Sequence, residues 1–180
     1  MCRFISFWHN PLNGDIAVND LNSHSNTLDN LKLTNGIWRE GHYLPDGTIE
    51  CRVEGKDRIS MIDCNERLKQ KYPTFIDFAN YAFSQPSVNI GTSLYLSSLT
   101  SAEGLVIPAE VTYLYLSSLT SAEGLVIPAV VTYLDLSSLT SAEGLVIPAG
   151  VTSLDLSSLT SAKGLVIPAG VTYLYLSSLK

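Results

Sequence analysis

Cysteine, histidine and tryptophan are missing from the second half of this 180-residue chain, and positive charge almost so: from residue 92 onward only Lys163 and Lys180 are basic. That half carries 2 Lys/Arg against 6 Asp/Glu, net −4, while residues 1–91 carry 9 against 11, net −2. Phosphate binding rests on clustered Lys and Arg, so nucleic acid is excluded as an expected partner, and an anionic membrane surface is disfavoured for the same reason. No run approaches the ~18 apolar residues of a transmembrane helix. The opening MCRFISFWHNP holds one Arg and an apolar run broken by His9 and Pro11, too short for a classical signal peptide. Cys2, Cys51 and Cys64 make an odd count without a CxxC pair, which suits a reducing compartment better than a disulfide-stapled secreted domain. The expected location is the cytoplasm, or a virus particle assembled from components made there.

What is present is apolar and repetitive. Hydrophobic residues make up 46% and charged residues 16%, too little charge for a disordered chain and ample material for a core. From Thr92 the sequence reads TSLYLSSLTSAEGLVIPAEV, TYLYLSSLTSAEGLVIPAVV, TYLDLSSLTSAEGLVIPAGV and TSLDLSSLTSAKGLVIPAGV, then TYLYLSSLK. Four near-identical 20-residue units and a partial fifth predict a repeat solenoid, in which stacked units bury the face that one unit cannot bury alone.

Within a unit, Leu114, Leu116, Leu119, Ala122, Leu125, Ile127 and Val131 recur at steps of two or three and never settle into a helical pattern. This predicts a tight coil with those side chains inside. TYLYL alternates, giving a short strand with Leu114 and Leu116 inward and Tyr113 and Tyr115 outward. Gly124 and Pro128 mark corners.

The pattern IPxxVTxLxLSSLTSAEGL resembles the short, ~20-residue class of bacterial leucine-rich repeats, with a Pro before a LxxLxL strand. The resemblance spans 92–180 and implies a horseshoe of short parallel strands. Leu119, Leu139 and Leu159 stand where that family usually places a turn-bonding Asn. The choice between a horseshoe and a more regular β-solenoid is thereby left open, the horseshoe being favoured.

The units differ at few places. The outward strand positions read Ser93, Tyr113, Tyr133, Ser153, Tyr173 and Tyr95, Tyr115, Asp135, Asp155, Tyr175; a corner reads Glu103, Glu123, Glu143, Lys163. Tyrosine offers a large contact area at low entropy cost, so Tyr95, Tyr113, Tyr115, Tyr133, Asp135, Asp155, Tyr173 and Tyr175 form the candidate site for a protein partner. Outward Tyr also simply suits a strand. The Glu column lacks the neighbouring ligands of a metal site, and neither a metal nor a cofactor is expected. The Thr and Ser columns admit an ice- or carbohydrate-binding reading, although such residues usually satisfy turn backbone. The chain stops midway through a coil, which leads to an expectation of end-to-end homodimerisation or docking on a larger assembly.

Residues 1–86 carry no repeat and predict a small α+β domain that caps the solenoid, with 87–91 as junction. Strands are expected at Arg3–Trp8, Asp15–Val18 and Ile49–Val53, with a turn at Pro45-Asp46-Gly47 and helices near 64–72 and 75–84. The opening MCRF resembles the start of N-terminal-cysteine amidohydrolases and of the abasic-site crosslinking family, which implies Cys2 as a nucleophile once Met1 is removed. His24, Glu40 and His42 are the candidate base and orienting groups for that alternative; the bland reading of both histidines is as polar turn residues. The leading expectation is a non-enzymatic binding or assembly module.

Overall fold

The computed structural model describes residues 5–9, 16–17, 39–51, 58–85, 88 and 91–180. The chain divides into two compact units, 1–89 and 90–180.

In the first unit, strands β1 (Ile5–His9), β2 (Ile16–Ala17), β3 (Arg39–Tyr43) and β4 (Ile49–Cys51) form an antiparallel sheet of order β2-β1-β3-β4. Strand β3 departs from the sequence reading, which expected no strand here and placed His42 in a turn. Its interior glycine hides it: Gly41 lies opposite Phe7, and a Cβ there would sit 2.4 Å from the Phe7 ring. An aromatic covering a strand glycine supplies the packing that the glycine lacks. The turn expected at Pro45-Asp46-Gly47 closes a β3–β4 hairpin, with Gly47 at φ 85° and Asp46 Oδ1 accepting from the Thr48 N–H at 2.8 Å. That backbone N–H holds the Asp46 carboxyl below its ordinary range.

Helix α1 spans Arg58–Lys71, starting ahead of the position near 64 that Asp63 and Glu66 had indicated. Helix α2, Phe75–Phe83, begins where expected: Thr74 accepts from the Asp77 N–H at 3.1 Å while Asp77 accepts from the Thr74 N–H at 2.9 Å, a reciprocal cap. Its stripe buries Phe75, Phe78, Ala79 and Ala82. Phe78 meets Phe7 and Tyr43 with ring centroids at 5.3 Å, and the buried Tyr43 hydroxyl donates to the Tyr72 carbonyl at 2.9 Å.

The second unit is a β-solenoid of about four turns. Strands β5 (Ser93–Tyr95), β6 (Tyr113–Tyr115), β7 (Tyr133–Asp135), β8 (Ser153–Asp155) and β9 (Tyr173–Tyr175) pair in parallel, in register, one coil apart. Between strands each coil makes three tight turns. In the second coil they are closed by Leu119 N–H to Leu116 carbonyl at 2.9 Å, Leu125 to Ala122 at 3.1 Å and Val131 to Pro128 at 3.1 Å. The middle turn needs a left-handed residue, and Gly104, Gly124, Gly144 and Gly164 supply it at φ 77°, 71°, 77° and 78°.

The inward set matches the sequence reading: Leu114, Leu116, Leu119, Ala122, Leu125 and Val131 are buried, with Ile127 half-buried. Leu119, in place of an asparagine, is fully buried and satisfies its own turn through the backbone. Coil-to-coil support comes from hydroxyls. Thr112, Thr132, Thr152 and Thr172 each donate Oγ1 to the threonine carbonyl one coil earlier, at 3.1–3.3 Å.

Candidate binding face

The parallel register sets the outward strand residues into two columns. Because adjacent strands lie ~4.8 Å apart, rings on consecutive coils must touch. Tyr95 and Tyr115 stack with centroids 4.4 Å apart and planes 14° off parallel. Tyr115 leans on Tyr133 at 5.0 Å, and Tyr133 on Tyr113 at 6.2 Å, joining four tyrosines of three coils into one patch. The patch is packed yet open: Tyr113 keeps 44% of its surface exposed. The fifth coil adds Tyr173 and Tyr175, both exposed.

Asp135 and Asp155 separate the patch from that last pair and stand directly opposite each other on β7 and β8. Both are half-buried and anchored. Asp135 Oδ1 accepts from the Ser137 N–H at 3.0 Å; Asp155 Oδ1 accepts from the Ser157 N–H at 2.9 Å and from the Ser157 hydroxyl. These aspartates therefore also close the turn that follows the strand, a role beyond the surface one expected of them.

Electrostatics ties the face together. Partial burial pushes the Tyr133 phenol above its ordinary pKa, and the nearby Asp135, Asp155 and Tyr175 raise it further. Tyr115 is raised as well, by burial first and then by its tyrosine neighbours.

The other candidates are scattered. Cys2 and His24 lie outside the described residues, as does the Glu40 side chain. Position 40 is paired with Trp8 in the sheet. His42 is no turn residue: it sits in β3 opposite Ser6 and Glu50, only 5% exposed. The turn reading failed because Gly41 breaks the alternating pattern that marks a strand.

One surface feature escaped the sequence reading. Val106, Val126, Val146 and Val166 form an exposed ladder along a second side, 66–76% accessible. Extending the in–out alternation from Leu125 through Val126 would have found it. On the corner side, Thr120 donates Oγ1 to the Thr100 carbonyl and Thr160 to that of Thr140, both at 3.2 Å. Ser101, Ser121, Ser141 and Ser161 accept from the N–H two residues on. Those hydroxyls serve turn and inter-coil backbone, as their types predict. A groove of ~470 Å³ between Glu123 and Glu143 opens on the same side.

Among the described residues no helix is long and apolar enough to cross a membrane. Neither a family model, nor a curated protein, nor a solved structure matches the chain.

Proposed function

We propose that the solenoid is a non-enzymatic protein-binding module whose recognition surface is the strand face of Tyr95, Tyr113, Tyr115, Tyr133, Asp135, Asp155, Tyr173 and Tyr175. The observation that carries this reading is the joined patch of Tyr95, Tyr113, Tyr115 and Tyr133, partly open to solvent on a backbone fixed by inter-coil hydrogen bonds. Mutual support of the rings leaves little side-chain entropy to lose on binding, which favours an aromatic contact surface over a flexible one. The winding is read as the leucine-rich-repeat kind, supported by burial of Leu114, Leu116 and Leu119 in the spacing of that family's strand.

The test is selection of a random peptide library on the full chain. Selected peptides are expected to weaken about tenfold or more on a Tyr113→Ser/Tyr133→Ser variant, the usual cost of removing central aromatic anchors. They should bind Val126→Ala unchanged. Peptides indifferent to both tyrosines would remove the strand face as the binding surface.

A further inference from the structure

Within its run of tyrosines the strand face changes character once. Asp135 and Asp155 sit in register on adjacent coils, with Tyr115 one coil before and Tyr175 one coil after in the same column. Tyr133 and Tyr173 flank them in the neighbouring column, with Ser153 between. The result is a two-coil break, or notch, in the tyrosine column, with two carboxylates in register and tyrosines at the positions before and after them.

The hydrogen-bond pattern leaves the notch with unspent acceptors. Oδ1 of each aspartate is held by the N–H of the serine two residues on. Oδ2 of each meets no donor among the described residues. Two like charges a coil apart repel, and the solenoid offers the face no cation: Lys163 and Lys180 are its only basic residues and neither falls on a strand. Among the residues of the solenoid nothing neutralises that charge.

We infer that the notch receives an arginine side chain, so that the partner of the strand face is an arginine-bearing protein segment; this rests on the protein-binding reading above. A guanidinium is planar, presents several donors in a fixed fork able to reach two acceptors at once, and stacks on aromatic faces. The notch supplies each complement: two carboxylates in register on adjacent coils, and tyrosines next to them in the same and the neighbouring column. Lysine, a compact point charge, can also sit over a phenol ring but lacks the planar fork that spans two acceptors at once. A divalent cation fits less well, since calcium takes six to eight oxygens, and among the described residues no three His, Cys, Asp or Glu groups converge.

The experiment uses the full chain and an Asp135→Asn/Asp155→Asn variant, selected in parallel against one random peptide library. Asn retains Oδ1 for the turn bond, so far-UV circular dichroism and melting should be unaltered while the charge is gone. Peptides selected on the natural sequence are expected to be enriched in arginine and to weaken with added salt. They should lose about tenfold in affinity when that arginine is replaced by citrulline, with a similar loss on the Asn variant. Peptides that need Tyr113 and Tyr133 but show no arginine enrichment, or bind the Asn variant equally, overturn this inference and leave the tyrosine face standing. Peptides indifferent to those tyrosines overturn both. Calcium chloride alone, if it shifts the amide resonances of 135 and 155 at micromolar levels and arginine peptides do not compete, assigns the notch to a metal and overturns the inference.

Discussion

Replacing Leu134 by alanine tests whether stacked coils share one continuous core. Leu134 is fully buried, in register between Leu114 and Leu154, which are fully buried themselves. Truncation there removes its transfer energy and leaves a cavity that rigid neighbouring strands cannot close, a cost of about 3 kcal/mol within the usual 2–5. At ~0.05–0.15 kcal/mol per residue, a unit the size of 90–180 holds roughly 5–14 kcal/mol in all. The change should therefore remove about a fifth to three fifths of that stability. With a shift of 4–8 °C per kcal/mol in a domain of this size, melting should fall by about 12–24 °C. Val146→Ala deletes two methyl groups from a side chain that is 74% exposed, and should stay within about 0.5 kcal/mol of the natural sequence. Far-UV circular dichroism during urea and thermal unfolding would report both variants. Equal losses for the two, or less than 1 kcal/mol for Leu134→Ala, would refute the inward assignment and with it the coil geometry.

Three further outcomes follow from particular atoms. Gly144→Ala forces a Cβ into a left-handed turn where the nearest atom is 3.9 Å away, so its cost is backbone strain alone, about 1–2 kcal/mol by urea titration. Thr74→Ala removes half of the reciprocal cap on α2 and should cost about 1 kcal/mol, measurable by the same titration. Tyr133 should ionise above the ordinary phenol value of 10.0, because burial and then Asp135, Asp155 and Tyr175 oppose its anion. A folded-state pKa raised in this way leaves its contribution to stability complete below pH 10 and lost as pH rises through the folded value, since the unfolded chain releases the proton first. Spectrophotometric titration should show the Tyr133 midpoint moving down in Asp155→Asn; an unmoved midpoint would separate the two groups.

The solenoid was legible because each signal in it is local. Alternation in TYLYL, a glycine free to turn left-handed and a proline at a corner all act within a few residues, and repetition shows each of them four times over. Strand β3 and the early start of α1 were not legible, for opposite reasons. Gly41 is tolerated in β3 only because Phe7, more than thirty residues earlier, covers it, a contact invisible to a local pattern. Helix α1 starts at Arg58 with no acid in its first turn, while Asp63 and Glu66, acids spaced like a cap but lying inside the helix, drew the expected start further along. The second duty of Asp135 and Asp155 was legible in principle, since an aspartate two residues before a serine at a strand end favours such a turn, but the outward position drew the surface reading first.

Repetition also decides which surface can recognise a partner in a single way. A segment lying along the valine ladder would meet the same residue at Val106, Val126, Val146 and Val166, so a slide of one coil would cost it almost nothing and its register would be undefined. The threonine columns suffer from the same degeneracy. Only where the coils differ can a bound segment tell one position from the next, and on the strand face they differ in order: tyrosines through the third coil, aspartates across the third and fourth, tyrosines again on the fifth. A cation held between those aspartates would penalise a shifted register, because a slide of one coil keeps only one aspartate beside it and a slide of two coils keeps none. On the proposed binding reading, specificity in this array would rest with the two aspartates, and adhesion with the tyrosines around them.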